Sequence, residues 1–485
     1  MSDVRSKDPI AEAFERLCAR DGARPLVLGP DSAATVAEVD GLACAAQALL
    51  DDARLEAGTP VGVRAADGPG FLAALLACLR AGHPAVLLEA GATADETARL
   101  FATLDLAGLL AVATASPRGA ADLTWQGRPM GPGAASARPL PAGTSVIKLT
   151  SGSTGTAQGV AVSSEALLAD DRTLRDAMRI GPEDRILAMI PWAHSYGLSS
   201  LVVPALAHGI PLVMPESGSP FGALAAAARC GVTVFPTVPA WAAALLNLAE
   251  PPPLPDTLRL ILTAGAPLRP EIAGDFRLRF GRRIHVFYGA TECGGIAYDR
   301  DGGAAERGTV GEPLTGVRVT LEPVAGGSAS GGRVVVESAA VGLAILPEGS
   351  PRLGSGRFAS EDLAEMSGGE IRLTARLDDL INVRGRKVNP REVERAIAQM
   401  EKVDEVVVHG VDRTPVGEPT VRAVVASRHS QVTSEAVIAW CRARLSGYKV
   451  PRSVVLVPSI PRTPRGKIDR AALERLSPPA AWPHE

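Results

Sequence analysis

Residues 149–159 of the chain form the stretch Leu149-Thr150-Ser151-Gly152-Ser153-Thr154-Gly155-Thr156-Ala157-Gln158-Gly159, which follows the apolar run Val146-Ile147-Lys148-Leu149. Four hydroxyl side chains and two glycines fall within the six residues from Thr150 to Gly155. A strand that ends in such a loop exposes backbone N–H groups and hydroxyl donors, and both can surround phosphate oxygens. The stretch therefore predicts a nucleotide-using enzyme.

The loop by itself also fits a flexible linker, because residues 130–143 are likewise rich in Gly, Ala and Pro. Two common phosphate sites are excluded. The only Gly-Lys pair, Gly466-Lys467, lacks the GxxxxGK[ST] frame of a P-loop. No GxGxxG follows a strand, as a Rossmann dinucleotide site requires. Other segments have to decide between linker and phosphate site.

Composition sets broad limits on the class of protein. A chain of 485 residues is too long for one core and predicts two or more domains. Contents of 46% hydrophobic and 21% charged residues are ordinary for a soluble globular protein. A net charge of −3 argues against nucleic-acid and anionic-membrane binding, and an aromatic content of 4% argues against stacking on single strands.

The cysteine pattern and the amino terminus predict a cytoplasmic protein. The cysteines are scattered without a CxxC and are expected to be reduced and mostly buried; they are Cys18, Cys44, Cys78, Cys230, Cys293 and Cys441. The first eight residues are polar and lack the apolar core of a signal peptide. No run of 18 apolar residues predicts a membrane span, and the seven histidines form no metal-ligand cluster.

Short apolar runs alternate with helical patterns through the first 300 residues, which predicts βαβ units and parallel sheets. Strand-like runs include 25–28, 61–63, 85–88, 186–190, 211–214 and 259–262, and helical patterns include 33–50, 70–81, 164–178 and 221–230. Residues 310–341 are β-rich and punctuated by glycine, which predicts a small β subdomain. After Arg376 an α+β pattern follows, with a helix predicted from Pro390 behind Asn389 as its N-cap.

Three further motifs occur in a fixed order after the first loop. They are Val286-Phe287-Tyr288-Gly289-Ala290-Thr291-Glu292, then Arg376-Leu377-Asp378-Asp379-Leu380-Ile381-Asn382-Val383-Arg384-Gly385-Arg386-Lys387-Val388, and then Pro461-Arg462-Thr463-Pro464-Arg465-Gly466-Lys467-Ile468-Asp469-Arg470. Together the four motifs closely resemble the adenylate-forming superfamily, which includes acyl- and aryl-CoA synthetases and peptide-synthetase adenylation domains. The resemblance extends from about residue 10 to about residue 470.

The resemblance implies an α/β fold with a large N-terminal AMP-binding domain, residues 1–375, built of βαβ sheets and a small β subdomain. A small mobile α+β lid domain, residues 376–485, would rotate about Asp378 between two half-reactions. In the first, a carboxylate attacks the α-phosphorus of ATP. In the second, the acyl group passes to a thiol, and Gly385 would line the thiol tunnel.

Several residues would bind the nucleotide by this resemblance. Thr150, Ser151, Gly152, Ser153, Thr154 and Gly155 would hold the β- and γ-phosphates. Gln158 replaces the lysine usual after this loop, so one positive charge is missing, and Lys387 or Arg386 is left to compensate. Tyr288 and Gly289 would form one wall of the adenine site, and Gly265 and Ala266 the other.

The ribose would be bound by Asp362 and Arg376. A carboxylate can accept hydrogen bonds from both ribose hydroxyls. The family's usual Thr-Gly-Asp is Ser360-Glu361-Asp362 here, and Glu361 is a competing candidate. The glycine that usually precedes the arginine is Ala375.

Catalysis is assigned by the resemblance to four residues. Thr291 would contact the α-phosphate, and Glu292 would bind Mg²⁺, which prefers hard oxygen ligands. Lys467 would bring its charge to the carboxylate and phosphate oxygens during adenylation. His194 would line the acyl pocket, with the other candidates Trp192, Ser195, Val238, Gly294 and Gly295.

The sequence thus predicts an ATP- and Mg²⁺-dependent acid–thiol ligase acting on a small-molecule carboxylic acid, with coenzyme A as the first choice of acceptor. An acceptor phosphopantetheine on an acyl carrier protein is the alternative. Gln158 and the Ser360-Glu361 pair also keep a degenerate, non-catalytic nucleotide-binding protein open. An interaction protein has only the Pro/Gly-rich segments in its favour. A homodimer is compatible with the sequence.

Overall fold

The computed structural model of the protein describes residues 8–30, 33–114, 117, 119–128, 139–151, 157–324, 331–347, 349–377, 380–383, 386–411, 420–429, 431–445, 447–462 and 468–476. At residues 151, 157, 382, 386 and 387 it describes the backbone alone. Within these described parts, no helix is both long and apolar enough to cross a membrane.

Strands and helices alternate through most of the chain. The strands are β1 (Pro25–Leu28), β2 (Ala33–Thr35), β3 (Val61–Arg64), β4 (Ala85–Leu88), β5 (Gly108–Val112), β6 (Leu123–Gly127), β7 (Val146–Ser151), β8 (Ala157–Val162), β9 (Ile186–Leu187), β10 (Leu212–Val213), β11 (Val234–Thr237), β12 (Leu260–Thr263), β13 (His285–Ala290), β14 (Gly294–Tyr298), β15 (Glu312–Pro313), β16 (Arg318–Glu322), β17 (Gly331–Glu337), β18 (Ala344–Leu346), β19 (Leu353–Gly354), β20 (Arg357–Ser367), β21 (Glu370–Arg376), β22 (Ile381–Val383), β23 (Arg386–Val388), β24 (Glu405–Val411), β25 (Thr420–Ala426) and β26 (Ser453–Val457).

The α-helices are α1 (Pro9–Asp21), α2 (Val36–Asp52), α3 (Pro69–Ala81), α4 (Ala94–Leu104), α5 (Ser164–Met178), α6 (Ser195–Gly197), α7 (Val203–His208), α8 (Pro220–Cys230), α9 (Pro239–Leu246), α10 (Pro270–Phe280), α11 (Ala304–Arg307), α12 (Pro390–Ala398), α13 (Ser434–Arg442) and α14 (Arg470–Arg475). A π-helical segment, Leu198–Val202, joins α6 to α7.

The chain forms two compact units. The first comprises Met1–Thr320, Val335–Ala359 and Ser367–Ile371, and the second comprises Leu321–Val334, Ser360–Met366 and Arg372–Glu485. A five-stranded sheet contains β16, β17, β20 and β19 in this order, with β21 beside β20. The predicted domain boundary after residue 375 stays a prediction.

The first unit contains two large sheets. One has nine strands in the order β15-β14-β13-β12-β11-β9-β10-β1-β2, and the other has seven in the order β18-β8-β7-β4-β3-β5-β6. Strands β9 to β13 of the first sheet run parallel, as do β3, β4, β5 and β7 of the second. The carboxyl ends of parallel strands therefore share one edge of each sheet, where ligands commonly bind in α/β folds.

Helix boundaries in this unit follow local sequence signals. Helix α3 is apolar on all sides and is buried over eleven of its thirteen residues, as expected of a core helix. Helix α5 begins behind Ser163, whose hydroxyl accepts the N–H of Ala166. The prediction of one helix over residues 33–50 was wrong at its start. Thr35 and Glu38 form a capping box, so the helix begins at Val36, and residues 33–35 pair with β1.

The second unit has its own apolar core. Its three-stranded sheet has the order β24-β25-β26, and β22 pairs with β23 as a hairpin. Helix α12 begins at Pro390 behind the N-cap Asn389, as the sequence predicts, and buries Val393 and Ile397. The α/β fold class with a large first part and a small second part is confirmed.

Candidate functional site

Two carboxylates follow parallel strands of the seven-stranded sheet and contact the segment that follows β9 of the other sheet. The backbone N–H of Trp192 donates to Oδ1 of Asp67 over 3.0 Å. Nε2 of His194 lies 2.9 Å from Oε1 of Glu89. Because Asp67 and Glu89 follow β3 and β4, the carboxyl edges of both sheets meet here. This is the edge at which β7 leads into the predicted phosphate loop.

The environment of Asp67 changes its acidity. Burial raises the pKa of Asp67 to about 6; the Trp192 N–H opposes this rise, and the negative charge of Glu89 adds to it. His194 and Glu89 are more open, with 41% and 33% of their side chains exposed. The His194 imidazole is thus held by a carboxylate yet remains accessible, which fits its predicted place at an acyl pocket. The role itself stays a prediction.

Thr291 and Glu292 lie in the turn between β13 and β14, and both are half-buried. The backbone closes tightly here. A Cβ on Gly289 would come within 2.7 Å of the Gly294 carbonyl oxygen, so a larger residue would force the strands apart. The Cys293 N–H donates to the Ala290 carbonyl over 3.2 Å. The turn therefore presents Thr291 and Glu292 on a constrained backbone.

Asp170, on α5, holds the carboxyl end of this turn. Its Oδ1 accepts the N–H of Gly295 over 2.8 Å, and its Oδ2 accepts the hydroxyl of Ser199 over 2.7 Å. Gly294 has φ +69° and lies so close that a Cβ would be 2.5 Å from the Asp170 carboxylate. Only 3% of Asp170 is exposed. A buried carboxylate therefore fixes the backbone that carries Glu292.

Lys148, on β7, is buried beside these carboxylates. Only 2% of the residue is exposed. Burial lowers the pKa of Lys148, and the negative charges of Asp170 and Glu292 oppose this effect. Burial likewise raises the pKa of Asp170, and the charge of Lys148 opposes that rise most strongly. The charges of Asp170 and Glu292 thus act on a buried lysine of β7.

The proposed acyl-pocket residues lie in different environments. Trp192 is fully buried, and its ring packs edge-on against Phe71 with centroids 5.8 Å apart. Ser195 opens α6, while Val238 precedes α9 and is 39% exposed. Behind Gly295, a Cβ would meet Leu314 and Leu174 at 2.8 and 2.9 Å. The space behind Gly294 and Gly295 is therefore already filled by protein.

The residues assigned to the nucleoside lie partly at the surface. Gly265 follows β12 with φ +81°, and it and Ala266 are exposed. The ring of Tyr288 is buried on β13, with 8% of the residue exposed. In the second unit, Nε of Arg376 is 3.6 Å from Oδ1 of Asp362, so the two predicted ribose ligands are brought together. These nucleoside assignments remain predictions.

Several predicted site residues lie outside the described residues. They are Gly152, Ser153, Thr154 and Gly155 of the phosphate loop, the hinge residue Asp378, Gly385 of the thiol tunnel, and Lys467. Ser151 and Lys387 are described by their backbone alone. Thr150 lies at the end of β7, where its hydroxyl is 3.4 Å from the Gln158 carbonyl oxygen.

The described residues fit a magnesium ion that arrives with a nucleotide. No group of three or more His, Cys, Asp or Glu side chains that could hold a metal occurs among them. Glu292 supplies one carboxylate, and Mg²⁺ is typically bound through one or two carboxylates together with substrate phosphates. Glu292 would hold the ion, and the bound ion would neutralise phosphate charge.

Four polar residues of this region were missed from the sequence. Asp67 and Glu89 each follow a short apolar strand, a position that the parallel-sheet prediction makes informative. Asp170 lies in a helix whose acidic residues are also typical of a solvated face. Lys148 interrupts the apolar run before the loop, and that interruption was the available signal of a buried charge.

Comparison with known proteins assigns the family. The sequence model of the AMP-binding enzyme family matches residues 14–343, and that of the AMP-binding enzyme C-terminal domain matches residues 392–467. The chain belongs to the AMP-binding enzymes. The predicted superfamily and the predicted enzyme class, an AMP-forming acid–thiol ligase, are confirmed.

Relatives of this AMP-binding enzyme include CoA ligases. It is 30% identical over 351 residues to sulfoacetate–CoA ligase of Cupriavidus necator. This alignment covers 69% of this chain and 67% of that protein. It is also 30% identical over 351 residues to feruloyl-CoA synthase of an Amycolatopsis species, covering 68% and 69%. The matched stretches thus span about two thirds of these relatives. The ATP-bound MatB structure of Rhodopseudomonas palustris matches with TM-score 0.80 at 23% identity, over 96% of this chain and 98% of that one.

Proposed function

We propose that this AMP-binding enzyme activates a small carboxylic acid as its acyl-adenylate with ATP and Mg²⁺, and then transfers the acyl group to coenzyme A. The observation that carries the proposal is the turn between β13 and β14. It holds Thr291 and Glu292 on a constrained backbone at the carboxyl edge of its sheet, and the Glu292 carbonyl accepts the N–H of Gly342, just before β18, which pairs with β8. The relatives named as CoA ligases support coenzyme A as acceptor.

The chemistry requires two anions to meet, because a carboxylate attacks a phosphate. Catalysis is then chiefly positioning and charge stabilisation. In this proposal Thr291 binds the α-phosphate and Glu292 holds Mg²⁺, while Lys467 supplies a further positive charge. Asp362 and Arg376 bind the ribose, and His194, held by Glu89, lies beside the acid.

Acid-dependent exchange of radioactive pyrophosphate into ATP tests the first half-reaction. Glu292→Gln keeps the size of the side chain and removes the charge, so exchange should fall by about 10²-fold. Glu312→Gln is the matched control, because Glu312 is exposed on β15 and contacts Arg300 at 3.5 Å. ATP binding without any acid-dependent exchange, over a broad panel of acids, would instead favour the non-catalytic alternative.

Lys467→Ala separates the two half-reactions. The variant should slow adenylation by about 10²- to 10³-fold and largely spare thioester formation from a supplied acyl-adenylate. Equal loss in both steps would contradict the proposed role of Lys467.

The acceptor is tested by offering two thiols to the adenylated enzyme. Free coenzyme A and the phosphopantetheine arm of a carrier protein differ only in what is attached to the arm. Formation of acyl-CoA supports the proposal, while transfer to the carrier protein alone supports the alternative. Sedimentation tests whether the protein forms a homodimer, and fractionation of cells tests the predicted cytoplasmic location.

A further inference from the structure

Two carboxylates follow adjacent strands of the seven-stranded sheet. Strands β3 and β4 pair in parallel, with Arg64 opposite Leu88 at their carboxyl ends. Asp67 follows the end of β3 by three residues, and Glu89 follows β4 directly. Because the carboxyl ends of parallel strands share one edge of a sheet, both acids belong to the same edge. These two residues are called the Asp67–Glu89 pair below.

Both acids contact one short segment, which carries the predicted acyl-pocket residues Trp192 and His194. Oδ1 of Asp67 accepts the N–H of Trp192 over 3.0 Å. Oε1 of Glu89 lies 2.9 Å from Nε2 of His194. Since the contacted residues are two positions apart in the chain, both carboxylates lie close to the place where the acid is proposed to bind.

These contacts leave an excess of negative charge at the edge. An ionised carboxylate only accepts hydrogen bonds, so Glu89 receives its bond from a protonated Nε2 of His194. The imidazole carries at most one positive charge, which offsets only one of the two carboxylates. The Trp192 N–H that contacts Asp67 is uncharged, and the charge of Glu89 acts on Asp67 as a like charge. The three side chains together therefore repel an anionic group that approaches them.

The two members of the pair differ in their exposure to water. The side chain of Glu89 is 33% exposed and that of its partner His194 is 41% exposed, so a ligand can reach this contact. Asp67 is half-buried, and water screens its charge less than it screens the charge of Glu89. Both charges thus act on a group that is bound beside His194, with Glu89 as the more accessible of the two.

We infer that the Asp67–Glu89 pair is a specificity determinant, which selects acids whose reacting carboxylate is their only anionic group. In the proposed function, the reacting carboxylate is met by the charges of Mg²⁺ and Lys467. A second carboxylate, sulfonate or phosphate on the same acid would instead meet Glu89 and Asp67. Repulsion of this kind lowers the affinity for one class of ligand and so creates specificity. The inference rests on the proposed function and names the substrate class of that site.

Pyrophosphate exchange with matched pairs of acids tests the inference on the full-length enzyme. Each pair contains a dianionic acid and an analogue in which an isopropyl group replaces the second carboxylate. Succinate is paired with 4-methylpentanoate, and terephthalate with 4-isopropylbenzoate. Every acid is also measured as a competitor of the acid that gives the fastest exchange, so that KI is obtained even for an acid that is not activated.

The wild type should bind the monoanionic member of each pair more tightly. Glu89→Gln keeps an acceptor for Nε2 of His194 and removes the charge. This variant should lower KI for the dianionic members by about tenfold and change KI for the monoanionic members by less than about threefold. Added salt should reduce the discrimination of the wild type, because the charge of Glu89 is partly exposed.

Three further variants make the result specific. Asp67→Asn keeps an acceptor for the Trp192 N–H and should shift KI for the dianionic acids in the same direction. Glu89→Ala also releases His194, so exchange should slow with every acid. Glu312→Gln removes an exposed carboxylate of the same unit and should change neither KI. If Glu89→Gln does not fold, as judged by circular dichroism, Asp67→Asn provides the same readout.

Equal KI values for the dianionic acids in the wild type and in a folded Glu89→Gln variant would overturn the inference. A wild type that prefers the dianionic member of each pair would also overturn it. If exchange with some acid succeeds and the variants discriminate as the wild type does, only the role of the Asp67–Glu89 pair fails. The absence of exchange with every acid would contradict the proposed function and, with it, this inference.

Discussion

Two lysines, one in each unit, meet carboxylates in contrasting surroundings. In the first unit, Lys148 and Asp170 are 2% and 3% exposed, and the charge of each affects the pKa of the other. In the second unit, Nζ of Lys449 lies 2.7 and 2.8 Å from the two carboxylate oxygens of Glu392. These side chains are 19% and 38% exposed. The close ion pair of Lys449 and Glu392 is thus the more exposed of the two pairs.

The two pairs are expected to contribute differently to the free energy of unfolding. A partly exposed ion pair gains little net free energy, because water screens it and two long side chains lose freedom. A buried charge is expensive and is tolerated when other interactions compensate for it. Lys449 therefore supports the attachment of α12, whereas the buried charge of Lys148 is compensated by the charge of Asp170.

The largest expected effect follows from removing the buried cation. Lys148→Met should lower the free energy of unfolding by about 3 kcal/mol, because Asp170 and Glu292 keep their charges with no cation beside them. Urea denaturation followed by fluorescence measures this loss. High salt should change it little, since salt screens buried charges weakly.

A double variant sharpens this prediction. Lys148→Met combined with Asp170→Asn removes one charge of each sign and keeps an acceptor for the Gly295 N–H. Its loss of stability should be clearly smaller than the sum of the two single losses. Simple additivity would show that the two charges do not interact and would remove the basis of the comparison.

The sequence predicted more of the fold than of this charged layer. The helix 164–178 and the cap at Asn389 follow from local rules, and they were found where predicted. Lys148 and Asp170 are 22 positions apart and meet only through the pairing of β7 within its sheet and the packing of α5. Whether an acid on a helix is buried depends on that packing, which local pattern does not determine.

The same limit applies to the candidate site. The resemblance predicts roles for Thr291, Glu292 and Asp362, but it says nothing of the side chains that contact their neighbours. Asp67 and Glu89 lie in different βα segments from His194 and Trp192. Their contacts require the two sheets to meet at their carboxyl edges, a relation that no single segment encodes.

The next largest effect concerns the half-buried carboxylate of Asp67, and this effect depends on pH. The raised pKa of Asp67, about 6 against 3.8 for the free group, means that the folded state binds more protons between these values. Stability therefore falls as pH rises from 4 toward 6, on the order of 1 to 2 kcal/mol for a partly exposed group.

Asp67→Asn should remove this dependence. The variant amide oxygen can still accept the Trp192 N–H, so the variant should gain stability relative to wild type above pH 6 and gain none near pH 4. Thermal unfolding at both pH values measures the difference. A constant offset at every pH would contradict the assignment of the raised pKa to Asp67.

The exposed pair should respond in the opposite manner to the buried one. Lys449→Met should cost about 1 kcal/mol or less, because water screens the contact with Glu392. Added salt should shrink the difference from wild type toward zero. Urea denaturation of both lysine variants at low and high salt provides the direct comparison, and a salt-insensitive loss at Lys449 would break it.

The smallest expected effect concerns a surface cation that faces an aromatic ring instead of a carboxylate. The guanidinium of Arg444 lies 3.4 Å from the ring centre of Trp440, whose Nε1 donates to the Ala396 carbonyl over 2.7 Å. Arg444→Gln should cost about 0.5 to 1 kcal/mol.

Arg442→Gln is the control, because Arg442 ends the same helix. The Arg444 loss should exceed the Arg442 loss and persist in salt better than the Lys449 loss, since stacking against the ring includes dispersion as well as charge. Equal losses at both arginines would show that the effect comes from the charge at the helix terminus and not from the contact with the Trp440 ring.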